Sequence, residues 1–210
     1  MRTDDLIARL AADPRPSGLS PEPTLIAAFA AGTVVIAVAF FALIGPRPDF
    51  MAALQTWRFD YKFLVTIAVA VSAFLVLRTS LYPQGRPNYW LLLAGPALLA
   101  LAVAIELATL PAAGWAMSAT GKNWYKCLTI VPALGAAPLA LTLIALRRGA
   151  PSHPGWAGFA AGILSGGLAA TFYAANCTDD SPLFVVTWYP VAILALGVVG
   201  AFLGRLVARW

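Results

Sequence analysis

Six apolar stretches, each close to the roughly 20 residues a helix needs to cross a hydrocarbon core about 30 Å thick, constrain this chain more than any other feature. They run over residues 24–44, 62–80, 89–110, 124–146, 156–176 and 183–206 and take up most of the 210 positions. Pro23 precedes the first and Gly45-Pro46 follows it; Arg78 and Pro83 close the second, Pro111 the third, and Arg147-Arg148-Gly149 the fourth. Such residues end helices or keep charge out of lipid. No stretch alternates polar and apolar residues as a strand of a membrane barrel would. Charged residues make up 11% of the chain and mean hydropathy is +0.80, against roughly 25% charged in an average soluble domain. The sequence therefore predicts an all-α polytopic membrane protein, a six-transmembrane-helix bundle over residues 24–210 in contact with the lipid bilayer. Residues 1–23 form a short cytoplasmic segment ahead of it.

The first stretch reads as a retained span and not a cleaved leader, because it begins only behind the acidic Asp4, Asp5, Asp13 and Glu22. Six spans put both termini on one side. Nine basic residues then fall with the termini (Arg2, Arg9, Arg15, Arg78, Arg86, Arg147, Arg148, Arg205, Arg209) and five opposite (Arg47, Arg58, Lys62, Lys122, Lys126). The positive-inside bias predicts cytoplasmic termini. The formal net charge of +5 is scattered over every loop, so it reads as a topology signal and not as a nucleic-acid patch.

The only thiols, Cys127 and Cys177, stand where spans four and five meet short polar loops on the side opposite the termini. They share a side and a depth, and an antiparallel pairing of spans four and five brings them near each other. Three readings are open: a structural disulfide, worth about 4 kcal/mol for a loop of this length, a reversible thiol or transient soft-metal switch, or two unrelated packed cysteines. For a metal, Asp179, Asp180 or Asn176 offer oxygen ligands, and Lys122 and Lys126 favour the thiolate by charge. A structural zinc site is not indicated: there is no Cys-x-x-Cys, and the lone His153 belongs to the loop on the other side.

Glu106, the one acidic residue inside a span, sits near the outer end of span three and is expected to pair with Lys122 or Lys126. Gly158, Gly162 and Gly166 in span five, and Gly200 and Gly204 in span six, recur every four residues and allow close helix contact. In the head, Thr3 or Asp4 caps a helix to about Ala12 that Asp13-Pro14 ends. Leu6, Ile7 and Leu10 make one apolar stripe on it. So short a helix is not stable alone, and its acidic flanks do not suit anionic lipid. Docking into a groove of a soluble partner is the expected use.

The head from Arg2 to Asp13, the stretch Asn123-Trp124-Tyr125-Lys126-Cys127-Leu128-Thr129-Ile130-Val131-Pro132, and the run Cys177-Thr178-Asp179-Asp180-Ser181-Pro182-Leu183 continuing to Tyr189 resemble the NrsF family. These are bacterial membrane anti-sigma factors, negative regulators of an extracytoplasmic-function sigma factor of the SigF type. The resemblance covers essentially the whole chain. It implies an inner-membrane, non-enzymatic regulator whose residues 1–23 hold the sigma factor. It also implies that the two periplasmic cysteines take part in sensing heavy-metal or oxidative stress, and these map onto Cys127 and Cys177. No resident cofactor is implied beyond a transient soft heavy-metal ion at that pair, and no direct contact with nucleic acid. Two other classes remain as alternatives. A membrane thiol-disulfide oxidoreductase would want a relay of cysteine pairs, and a small transporter would want polar groups at the midplane.

Overall fold

The computed structural model describes residues 2–12 and 20–208, without the side chains of residues 6 and 9–11. Among the described residues every regular element is a helix: α1 (Thr3–Ala12), α2 (Pro21–Leu43), α3 (Phe50–Ala53), α4 (Trp57–Ser80), α5 (Ala94–Thr109, led by a 3₁₀ segment Tyr89–Leu93), α6 (Trp115–Thr120), α7 (Trp124–Leu146), α8 (Pro154–Ala174) and α9 (Pro182–Val207). Six of them, counting α5 with its 3₁₀ lead, are long and apolar enough to cross a membrane.

Local chemistry sets the ends. Pro21, Pro154 and Pro182 open α2, α8 and α9 at positions where a missing N–H costs nothing. Ser181 caps α9 by accepting from the Leu183 N–H at 3.2 Å. Gly45, at φ +73°, terminates α2, with its N–H returned to the Phe40 carbonyl at 2.8 Å. The helix α4 starts at Trp57 and not at Lys62 as hydropathy suggests, because Lys62 is neutralised by Asp180 inside the bundle and the part-exposed Arg58 by Glu106. The short α3 and α6 were not signalled by the apolar pattern; each is a brief helical turn within a loop.

The helix α8 is the axis. Of its most apolar window 83% is buried, against 22% for α2, although its mean hydropathy of 1.3 is the lowest of the six. Low hydropathy and small residues go with a helix that its neighbours enclose. Its glycines fit against α9, where a Cβ on Gly162 would fall on the Leu196 carbonyl and 2.6 Å from Gly197 Cα. On another side, Gly167 lies against α4, with a Cβ position 2.9 Å from Ala70 N. The helices α2 and α7 pack together, and α7 packs on both α8 and α9.

The helices define two ends. One, the terminal face, joins the start of α2 to the end of α4 through Glu22–Arg78 at 2.5 Å, and the end of α4 to the α7–α8 turn through Ala150 N to Leu81 O at 2.9 Å. The opposite end carries both cysteines. Ile7 on α1 is exposed, while the side chains of Leu6 and Leu10 lie outside the described residues, as do Asp13 and Pro14.

Candidate functional site

Cys127 sits in the first turn of α7, its N–H on the Asn123 carbonyl at 2.9 Å, and Cys177 follows α8, its N–H on the Tyr173 carbonyl at 3.0 Å. Both are free thiols, 0% and 1% exposed, in one apolar cluster. Cys127 lies within Coulombic reach of Cys177. The buried rings of Tyr173 and Tyr189 stand 6.1 Å apart beside them. The Tyr189 hydroxyl neighbours the Cys177 thiol and makes no hydrogen bond of ordinary geometry. Tyr173 instead donates to the Asn123 carbonyl at 3.4 Å, linking α8 to the turn that precedes Cys127.

The loop after α8 is stitched to three other elements. Asp179 Oδ2 accepts from Lys122 N (3.0 Å), Asn123 N (2.8 Å) and Asn123 Nδ2 (2.9 Å), and so joins the two cysteine segments directly. A Cβ at Gly121, which holds φ +59°, would strike Phe184 and Asp179, so this turn needs glycine both for its conformation and for room. Asp180 receives Arg47 at 2.8 Å and Lys62 at 2.6 Å. The Cys177 carbonyl accepts from Lys62 Nζ at 2.9 Å, with Arg47 Nη1 at 3.4 Å. Arg47 is further gripped by both Asp49 oxygens at 2.6 Å.

Three expectations change here. Lys122 engages the site through its backbone amide and its side chain is exposed, as is that of Lys126; the ammonium beside Cys177 belongs to Lys62, on α4. The basic side chains of the first loop do this work because they are drawn inward by Asp180 and Glu106. Glu106, 1% exposed, pairs with Arg58 at 2.9 Å and accepts from Ser181 Oγ at 3.1 Å, with neither lysine as its partner. The oxygen donors proposed for a metal are committed elsewhere: Asp179 and Asp180 as above, and the Asn176 amide donating to the Gly45 carbonyl at 2.9 Å. Among the described residues no three His, Cys, Asp or Glu side chains cluster as a metal site. His153 is exposed, at the start of α8.

Burial pushes the Cys177 thiol above its ordinary value of 9.0, and the Lys62 ammonium works against that rise. The hydrogen bond to Asp49 holds the Arg47 guanidinium above its usual range, against the opposing effect of burial, and the same bond holds Asp49 below its own. The site is thus an enclosed thiol pair under a lattice of fixed charges.

The fold defines an all-helical class of protein with six helices long enough to cross a membrane, and comparison with known sequences narrows it. A family model described as "Negative regulator of sigma F" (NrsF) matches residues 10–210. "Anti-sigma-F factor NrsF" of Caulobacter vibrioides (strain NA1000 / CB15N) is 35% identical over the whole of both chains, and "Probable anti-sigma-F factor NrsF" of Azospira oryzae is 34% identical, again over all of each. The chain belongs to the NrsF family. Membership places it among regulators and not enzymes, which sets the thiol-oxidoreductase reading aside and favours regulation over transport. No solved structure matches the chain.

Proposed function

We propose that this chain is an anti-sigma factor of the bacterial inner membrane, with both termini cytoplasmic. Its residues 1–23 sequester an extracytoplasmic-function sigma factor, and Cys127 and Cys177 form a periplasmic site that releases it on heavy-metal or oxidative stress. The observation that carries this reading is the burial of two thiols 50 positions apart in one cluster, joined by Asp179 and Asn123, at the opposite end of the bundle from the start of α2. The names of the two relatives support the sigma-factor partner. The basic count also favours this orientation more than its totals suggest, since three of the five opposing residues, Arg47, Arg58 and Lys62, serve in ion pairs, and Arg47 and Lys62 are buried in theirs.

The chemistry follows from enclosure. A soft metal cation displaces the two thiol protons and binds both sulfurs. A two-electron oxidant removes two protons and two electrons and leaves a sulfur–sulfur bond. Either event needs a sulfur-to-sulfur geometry of its own, so it favours one packing of α7 against the Cys177 loop over another. A signal that moves the bundle from 1:99 to 99:1 needs roughly 5.5 kcal/mol of differential affinity, a magnitude within reach of metal–thiolate bonding.

The stripe on α1 supplies the output. Leu6, Ile7 and Leu10 dock in an apolar groove of the sigma factor, while Asp4 and Asp5 meet basic residues at its rim. Replacing Leu6 and Leu10 by Asp tests this: the sigma factor no longer co-purifies with the membrane-bound chain. Full retention by that variant contradicts the assignment.

A further inference from the structure

The sensor reading needs a route from the cysteine face to α1, and α2, the helix that follows α1 in the chain, meets both thiol-bearing elements. Along its length it packs on α7, which carries Cys127, so closely that a Cβ on Gly32 would lie 2.8 Å from Pro138 Cβ. At its far end it is tied to the Cys177 loop. Arg47 N–H donates to the Ala175 carbonyl at 3.0 Å, the Asn176 amide donates to the Gly45 carbonyl at 2.9 Å, and the Arg47 guanidinium spans Asp180 at 2.8 Å and the Cys177 carbonyl at 3.4 Å. The bidentate grip of Asp49 fixes the direction of that guanidinium. At its near end α2 continues through residues 13–20 into α1.

We infer that Arg47 is a coupling residue: it makes α2 follow the Cys177 loop, so that a change at the thiols shifts α2 and reaches the sigma-binding head. This inference rests on the sensor reading above. A 23-residue helix is a stiff rod about 35 Å long at 1.5 Å per residue. With 22% of its apolar window buried, α2 has less packed surface to rearrange in a shift than α8, at 83%. The second tie on the cysteine face, Lys62, leads along α4, whose far end pairs with α2 again through Arg78–Glu22. Both routes end at the start of α2, just before the segment leading to the head. Arg47 acts through α2 and touches neither sulfur, so it is a positioning residue.

The test uses the full chain in membrane vesicles with its sigma factor bound and cadmium ion as the probe. Two quantities are read: protection of the thiols from maleimide, which reports site occupancy, and retention of the sigma factor, which reports output. In the unaltered chain cadmium protects both thiols and lowers retention roughly tenfold, a coupling of ordinary allosteric size. In Arg47→Gln cadmium still protects both thiols, measured against that variant's own metal-free labelling rate, and retention falls less than about twofold. Arg47→Lys keeps the charge without the fork and lies between. If the Arg47 variants do not accumulate, Asn176→Ala, which removes the tie to Gly45, shows the same partial uncoupling. Release of the sigma factor from Arg47→Gln as from the unaltered chain overturns the inference, and so does loss of thiol protection together with release. Absence of protection in the unaltered chain refutes the sensor reading itself, before any Arg47 variant is compared.

Discussion

Lys62→Met is the substitution whose outcome depends most directly on the geometry around Cys177. The Lys62 ammonium is buried, 2.6 Å from Asp180 and 2.9 Å from the Cys177 carbonyl. Breaking a fully buried ion pair by removing one partner costs about 3–5 kcal/mol. Here Asp180 is 22% exposed and keeps Arg47 at 2.8 Å, so the loss is smaller. The Cys177 carbonyl is left with Arg47 at 3.4 Å, and an under-satisfied buried acceptor costs about 1–3 kcal/mol. Release of the ammonium from its burial offsets part of both. The net is about 2 kcal/mol, falling on the loop that covers Cys177, which is roughly a 30-fold gain in its open population. In a Cys127→Ser background, maleimide labelling of Cys177 in vesicles should quicken by that factor. Losing the ammonium also disfavours the thiolate, which opposes acceleration and makes faster labelling the more telling result. Lys122→Met, at an exposed side chain, should leave the rate unchanged. A rate for Lys62→Met within about twofold of the parent refutes the reasoning, as does equal acceleration by Lys122→Met.

At Gly162, an added Cβ meets only the Leu196 and Gly197 backbone, so Gly162→Ala should separate α8 from α9 and cost about 2–3 kcal/mol, read as a lower Tm in detergent. Gly114→Ala, where the nearest atom is a Leu110 side chain at 3.5 Å, should leave Tm nearly unchanged. Asp179→Asn weakens an acceptor of three hydrogen bonds between the cysteine segments; a loss of about 1.5 kcal/mol should appear as slower diamide-driven joining of Cys127 to Cys177 on a non-reducing gel. The raised Cys177 pKa gives a pH dependence. The folded state holds that proton more tightly than the unfolded state, so the contribution is present below the ordinary 9.0 and is lost as pH rises through the folded value. Alkaline unfolding should therefore be steeper for the parent than for Cys177→Ser, and cadmium affinity should increase with pH because binding expels the thiol proton.

Much of the bundle was legible because length and hydropathy report directly on long apolar helices. The α7 bounds, Trp124–Leu146, coincide with the apolar stretch at 124–146, and the glycines at 158, 162, 200 and 204 meet across α8 and α9. The sharing of one face by Cys127 and Cys177 followed from span counting. What hydropathy hides is the partner of each charge. Arg47, Arg58 and Lys62 looked like loop residues because an unpaired basic side chain belongs in water. Inside the fold they are the counterions of Asp49, Asp180 and Glu106. A signal was present: three of the five basic residues opposite the termini, Arg47, Arg58 and Lys62, crowd the stretch between the first two apolar runs, and acidic residues stand in the loop after span five and near the end of span three. Tyr173 and Tyr189 were unreadable for another reason, since an aromatic residue in a span looks the same whether it faces lipid or a thiol.

The central claim is that Cys127 and Cys177 together govern release of the sigma factor. It is tested most directly by titrating cadmium into vesicles carrying the full chain and its bound sigma factor, with the unaltered chain beside a Cys127→Ser, Cys177→Ser double variant. The unaltered chain should release its partner while the double variant retains it at every cadmium concentration. Release from the double variant along the same titration curve would contradict it.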